Sequence, residues 1–150
     1  MLNKELELIK SYLKYLDVGN QEISKGSVGW HLDHSLKVIN NVSVALIKSD
    51  VRDYNSKFNL LRLITFTIGF FPRGKAKSPK RVLPPEEISI EDVKNQLDLA
   101  TKNIELIKTL KNHQYFIHPL FKQLNKKQTI KFLRLHTNHH LKIIRDILNK

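Results

Sequence analysis

The sequence predicts an all-α fold, an up-and-down bundle of four main helices in a single domain that spans residues 1–150. Two observations predict it. Apolar residues recur every three or four positions in five segments of roughly 15 to 25 residues, which is the spacing of amphipathic helices. No segment alternates apolar and polar residues for long enough to predict a β-strand. The 150 residues, of which 41% are hydrophobic and 27% charged, suit one globular core.

The first three helices follow from apolar stripes and from the residues that stop them. The first is predicted over residues 2–17, because its apolar positions recur at helical spacing and Gly19-Asn20 follows as a stop signal. The second is predicted from about Ser27 to Ser49. The third is predicted from about Ser56 to Phe71, where Pro72 ends it. It is the most apolar segment, so we expect it to be the most enclosed helix.

The last two helices are each preceded by a connection. Residues 72–88 contain four of the five prolines, which predicts a long loop. Ser89 is the predicted N-cap of the fourth helix, and residues 111–124 follow that helix as a second connection. Asn125 is the predicted N-cap of the last helix, which runs to about residue 148.

The chain is strongly basic, with 26 lysines and arginines against 14 aspartates and glutamates and a formal net charge of +12. Such an excess suggests an anionic partner, and nucleic acid is the first candidate. However, the sequence shows no DNA-recognition motif, and outside residues 73–81 the charge is spread over all the helices. Nucleic-acid binding is therefore the less favoured interpretation.

The composition excludes several classes of protein. Because the chain contains no cysteine, a disulfide scaffold, a thiol nucleophile and a cysteine-ligated metal cluster are excluded. Its longest run without a charged residue, 63–72, is too short to span a bilayer. The N-terminus has no apolar signal-peptide core. We therefore expect a cytoplasmic protein with no membrane partner.

The histidines are the most concentrated chemical signal. His136 and His140 are four residues apart on the last helix, so they share one face, and that face is its apolar stripe. His31 and His34 lie beside the apolar stripe of the second helix. Three imidazoles that converge can hold a divalent ion and leave positions open on it, although a buried pair can also be purely structural. Helical periodicity alone slightly favours His31 over His34 as the third ligand.

Three stretches resemble the DinB/YfiT-like superfamily, and most closely its uncharacterised branch of short domains. They are residues 26–38 around Trp30-His-Leu-Asp-His34, the turn His118-Pro-Leu-Phe121, and residues 135–141 around His136-Thr-Asn-His139-His140. Members of that superfamily are four-helix bundles that bind a divalent metal through one histidine on the second helix and a His-x-x-x-His on the last. The resemblance therefore implies His34, His136 and His140 as ligands.

The resemblance also implies an activity. It indicates a metal-dependent hydrolase or thiol-type transferase that acts on a small-molecule substrate, with Zn²⁺ or Ni²⁺ as the ion and a homodimer as the assembly. The alternatives are a basic nucleic-acid-binding helical module and a structural or interaction protein whose metal site is not catalytic. Without a cysteine in the chain, any thiol in the chemistry must come from the substrate.

Other residues are candidates for supporting roles. His31, His139, His118 and Trp30 are candidates for the pocket or for contacts behind the ligands, and His31 is equally well a packed core residue. The loop after the third helix offers three candidates for binding an anionic substrate, Arg73, Lys75 and Lys77. The alternative is a basic loop that is only solvated.

No catalytic residue is assigned from the sequence. Thr137 follows His136 where a metalloprotease helix would carry its glutamate. Asp33 projects about 100° away from His34 on a helix, so we expect it to be a surface charge rather than a base.

Overall fold

The computed structural model describes residues 1–69 and 80–150. In these ranges the chain forms five α-helices, two β-strands and three short 3₁₀ turns. The helices are α1 Asn3–Tyr12, α2 Val28–Lys48, α3 Leu60–Ile68, α4 Ile90–Thr109 and α5 Lys126–Ile147. The strands are β1 Tyr115–His118 and β2 Lys122–Asn125, and the 3₁₀ turns are Leu13–Tyr15, Val51–Asp53 and Lys80–Val82.

Four of the helices enclose the core. Helix α2 packs against α4 and α5, and α1 also contacts both α4 and α5. Each contributes one apolar stripe, and fully buried side chains include Leu32, Ile39, Ile104, Leu133 and Ile144. The prediction of a mainly helical protein is confirmed. That the bundle is of the DinB type stays a prediction.

Three helix starts agree with the predicted N-caps. The Ser27 hydroxyl accepts from the backbone N–H of Trp30, and Ser89 does the same for Asp92. Asn125 and Gln128 form a reciprocal capping box at the start of α5. These side chains satisfy backbone donors that a helix cannot pair internally, which is why the sequence marks the starts so clearly.

The second connection contains a β-hairpin that the sequence prediction missed. Strands β1 and β2 pair antiparallel, with Phe116 opposite Leu124. Each strand has only four residues, and only these two side chains and Phe121 in the turn are buried. A four-residue strand with one buried position is too short to show alternation, so the prediction of an all-α chain without strands was wrong here.

Helix α3 differs most from its prediction. It begins after its N-cap Asn59 and ends at Gly69, whose φ of +71° forms a left-handed C-cap, instead of spanning 56–71. The predicted Phe71 end and the Pro72 stop lie outside the described residues. Only Thr65 of this helix is buried, so the expectation that it is the most enclosed helix was wrong.

Helix α3 is exposed because its one charged side chain, Arg62, points toward the protein. The guanidinium of Arg62 donates to the backbone carbonyls of Lys57, Phe121 and Gln123, so the polar side of α3 faces the protein. Its leucines and isoleucines consequently face outward. Within the described part of the chain, no helix is long and apolar enough to cross a membrane.

Candidate metal centre

Three histidines from two helices converge inside the bundle. His34 lies on α2, and His136 and His140 lie one turn apart on α5. One ring nitrogen of each lies within 4.8 Å of the other two. His34 and His140 are buried and His136 is half-buried. The three histidines that the resemblance implies thus lie close enough together to hold a metal ion.

The ring of His34 is oriented by a hydrogen bond on its far side. Its Nδ1 lies 2.8 Å from the carbonyl oxygen of Val82. Because a carbonyl can only accept, Nδ1 carries the proton, and in the neutral ring Nε2 keeps its lone pair. Metal-binding histidines commonly donate their other N–H to a carbonyl, which fixes both the tautomer and the ring direction. The Lys37 ammonium donates to the Leu83 carbonyl at 3.3 Å, so this segment contacts α2 at two points.

The ring of His140 is held by a chain of hydrogen bonds. Its Nδ1 lies 2.9 Å from Nδ1 of His31, and Nε2 of His31 lies 2.9 Å from the hydroxyl oxygen of Ser24. If His140 donates to His31, then His31 carries its proton on Nε2 and donates to Ser24. That arrangement leaves Nε2 of His140 with a lone pair. His31 is therefore placed behind a candidate ligand, where its hydrogen bond can orient that ligand.

Trp30 forms one wall of the histidine cluster. Its indole stacks on the ring of His34, with centroids 5.0 Å apart and planes inclined by 21°, and it lies 6.3 Å from the ring of His140. Gly26 makes this position possible. A Cβ on that residue would come within 2.9 Å of the indole, so a side chain there would push the ring away. The Gly26 backbone N–H also donates to the Ser24 hydroxyl, which ties the same turn to His31.

Burial keeps the three histidines in the neutral form that a metal requires. It lowers the pKa of His136 and His140 well below the usual value, and neighbouring histidines lower both pKa values further. Burial also lowers the pKa of His34, against the opposing effects of the Val82 hydrogen bond and the nearby Asp33 charge. A neutral imidazole is the ligand form of histidine, so a metal ion displaces few protons from this site at neutral pH.

Asp33 is not the surface charge that the sequence predicted. It is 2% exposed and lies between α2 and α4. Gln96 Nε2 donates to one carboxylate oxygen at 2.5 Å, and the Lys37 ammonium lies 2.7 Å from the other. That it is no base for the site stays a prediction, and its carboxylate contacts Gln96 of α4 and Lys37. The sequence could not show its burial, since its partners come from another helix and from the next turn.

The other candidate residues lie at different distances from the cluster. The ring of His139 is 5.1 Å from that of His140, at the edge of the cluster. His118 lies in the β-hairpin, where its Nδ1 accepts from the backbone N–H groups of Leu120 and Phe121. The structure thus gives His118 a role in the turn. The loop residues Arg73, Lys75 and Lys77 lie outside the described residues.

Two groups that support the cluster were missed from the sequence. The carbonyl of Val82 is a backbone atom, so no residue type marks it. Ser24 precedes His31 by seven residues in an irregular segment, where no periodicity connects the two. Only the folded chain brings either group to the histidines.

Comparison of the chain with family models, with curated proteins and with solved structures finds no match.

Proposed function

We propose that this protein binds one divalent metal ion through His34, His136 and His140 and acts as a metal-dependent enzyme on a small anionic substrate. The observation that carries the proposal is the convergence of three ring nitrogens within 4.8 Å. The hydrogen bonds behind the rings support it, because the Val82 carbonyl leaves Nε2 of His34 to bind the ion, and His140 also has Nε2 to offer when it donates to His31.

The donor set suits a catalytic ion better than a structural one. Structural zinc sites normally have four protein ligands, whereas catalytic sites have three and keep a position open. Imidazole nitrogen suits both Zn²⁺ and Ni²⁺, which are the ions we propose. The His-x-x-x-His spacing on α5, with His34 on α2, also supports assignment to the DinB/YfiT-like group, and with it a hydrolase or thiol-type transferase activity.

The charge of the site indicates the class of substrate. Three neutral imidazoles leave the double positive charge of a bound ion uncompensated, so an anionic group is favoured at the open position. When bound, the ion supplies a Lewis acid that polarises substrate or lowers the pKa of water. The chain's own residues hold the ligand rings in place, and Trp30 shields the side of the His34 ring on which it stacks.

Metal binding by purified protein tests the proposal. The chain is prepared without a histidine tag, and bound metal is measured by elemental analysis and by titration with Zn²⁺ and Ni²⁺. We expect about one equivalent in the wild type and a loss of at least about tenfold in affinity in His136→Ala and His140→Ala, since each removes a ligand. His113→Ala is the matched control, because His113 is exposed and stacks on Tyr54 away from the cluster.

A wild-type protein that is folded and binds no metal contradicts the proposal, as does a His140→Ala variant that binds as tightly as the wild type. The open position has its own test. Adding azide to the Co²⁺-loaded protein should change the visible spectrum, because the anion enters the coordination sphere. An unchanged spectrum favours a metal site without catalysis.

A further inference from the structure

Helix α3 has its polarity reversed relative to an ordinary surface helix. Arg62, Asn59 and Phe66 face the protein, while the other large apolar side chains of this segment face solvent. The exposed fractions are Phe58 79%, Leu60 58%, Leu61 49%, Leu63 53%, Ile64 46% and Ile68 68%. A contiguous apolar surface of this kind marks a site of interaction. We call these six residues the α3 face.

The two segments that meet beside the α3 face are rich in basic residues. Residues 54–69 and 106–145 contain eleven of the lysines and arginines and none of the 14 aspartates and glutamates. The segments are far apart in sequence and in contact in the fold. Asn59 donates to the carbonyl of Leu120, and Arg62 bonds to carbonyls of the hairpin. The Lys131 ammonium lies 5.8 Å from the centre of the Phe66 ring.

These contacts place basic residues beside the α3 face. Lys57 directly precedes it in sequence, and Lys131 on α5 shares a cavity of about 260 Å³ with Phe58 and Leu63. Lys127 and Arg134 are exposed and share one stripe of α5 with Lys131. Lys57 and Lys131 therefore lie beside the exposed apolar helix, and Lys127 and Arg134 extend the basic stripe along α5.

We propose that the α3 face docks on the surface of an anionic lipid bilayer. An apolar helix face that enters the acyl boundary, flanked by lysines and arginines at the depth of the headgroups, is the arrangement of interfacial membrane-binding helices. Anionic headgroups supply the charge that complements this basic side. The sequence expectation of no membrane partner was based on the absence of a spanning segment, and peripheral docking needs none.

Two other occupants fit the same surface less well. A second copy of the chain would bring a second basic surface against the first, and like charges oppose that contact. Nucleic acid would complement the positive charge. However, proteins bind the bases of single-stranded nucleic acid by aromatic stacking, and they recognise base edges by hydrogen bonds. Five of the six residues of the α3 face are leucine or isoleucine, which do neither.

Vesicle sedimentation tests the proposal with the full chain. Vesicles of phosphatidylcholine alone are compared with vesicles that contain about 30% phosphatidylserine, at about 0.1 M and 0.5 M salt. We expect the wild type to bind the anionic vesicles about tenfold more tightly than the neutral ones and to lose most of this binding at high salt. The variant Leu60→Gln/Ile68→Gln should bind the anionic vesicles about tenfold more weakly, because two apolar side chains no longer enter the bilayer.

The matched control is Leu99→Gln/Leu106→Gln, which removes two leucines of similar exposure from α4, 47% and 52%. It should bind within about twofold of the wild type. Equal binding by the α3 variant, or no binding by the wild type, overturns the proposal. If the wild type is a dimer that does not bind vesicles, and the α3 variant is a monomer, the face is assigned to a second copy of the chain. Salt-dependent binding to duplex DNA without vesicle binding assigns the surface to nucleic acid.

Discussion

The position of one proton connects His31 to the candidate metal centre. His140 offers Nε2 to an ion only when its proton is on Nδ1, and the acceptor for that proton is Nδ1 of His31, 2.9 Å away. His31 in turn needs a partner for its own Nε2 proton, and the Ser24 hydroxyl lies 2.9 Å from that atom. Metal binding thus selects one of the two directions that this chain of hydrogen bonds can take.

Replacing His31 should therefore weaken metal binding without removing a ligand. We expect His31→Leu to lower Zn²⁺ affinity about 10- to 100-fold, because His140 loses the acceptor that orients it. His31→Asn should recover part of the affinity, since its side-chain oxygen can accept near the position of Nδ1. Competition with a chromophoric chelator measures both affinities, and the visible spectrum of the Co²⁺ form reports the ligand geometry.

Metal-free unfolding of the same variants provides the control. A packed histidine would affect the free energy of unfolding, and its replacement by leucine would leave the affinity of the folded protein unchanged. Metal affinity equal to that of the wild type in both variants would therefore assign His31 to packing alone. If the wild type itself binds no metal, the proposed function fails before this question arises.

At the scale of residues, the sequence predicted which histidines meet but not how they are held. The four-residue spacing of His136 and His140 is enough to place both on one face of α5. His31 and His34 differ by only 60° on a helical wheel, so periodicity favoured His31 only slightly, whereas the cluster that can hold an ion contains His34. The choice depends on Val82 and Ser24, which contact these rings only after the chain has folded.

At the scale of elements, α3 is attached mainly through polar contacts. Phe66 packs against Phe121 and Thr65 is buried, while the Arg62 guanidinium joins the helix to the hairpin and to the residues that precede it. The planar guanidinium reaches several carbonyls at once, which a lysine cannot do. Hydrogen bonds from a charged group contribute more than neutral ones, so Arg62 carries much of the attachment of α3.

Replacing Arg62 should consequently destabilise the protein and loosen α3. We expect Arg62→Leu to lower the free energy of unfolding by about 2 kcal/mol, since two partly buried hairpin carbonyls and an exposed one lose a charged donor. Urea denaturation measures this loss, and hydrogen exchange should show faster exchange in residues 60–68. Arg52→Leu is the control, because Arg52 is exposed and pairs with Asp50, and we expect it to cost less than about 1 kcal/mol. Equal losses in the two variants would contradict this account.

The sequence predicted the helix starts better than the orientation of the helices. Ser89 and Asn125 act on backbone groups three residues away, so the signal is local and readable. The direction of α3 depends on hairpin carbonyls about 60 residues later in the chain. The leucines and isoleucines of α3 therefore predicted a core helix, although they face outward in the structure.

At the scale of the whole molecule, the net charge of +12 was visible from the sequence but its distribution was not. The acid-free segments 54–69 and 106–145 are separated in sequence by residues 70–105, which carry six of the acids. Hydrogen bonds from α3 and its N-cap to the hairpin bring the two segments into contact. The +12 charge first suggested nucleic acid, and the exposed apolar helix beside part of that charge is the reason why we propose an anionic bilayer instead.

The buried histidines make the stability of the whole metal-free fold depend on pH. Burial lowers the pKa of His118 from 6.5 to about 4, and it also lowers the pKa of His34, His136 and His140. A histidine with a lowered pKa binds fewer protons in the folded state than in the unfolded state. Stability is therefore fully present above pH 6.5 and decreases as the pH falls below it. For His118 this decrease ends near pH 4, where both states are protonated.

The contribution of His118 to this pH dependence can be measured separately by mutation. His118→Asn removes the titrating ring, while its side-chain oxygen can still accept from the backbone N–H groups of Leu120 and Phe121. We expect near wild-type stability at pH 7 and, in the presence of a chelator, a growing advantage over the wild type as the pH falls from 6.5 toward 4, with a slope of at most about 1.4 kcal/mol per pH unit. His118→Ala should show the same pH trend at a stability lower by about 1 kcal/mol, because it also loses the acceptor. Urea denaturation across this range measures both variants, and curves that run parallel to the wild type would show that His118 takes up its proton equally in the folded and unfolded states.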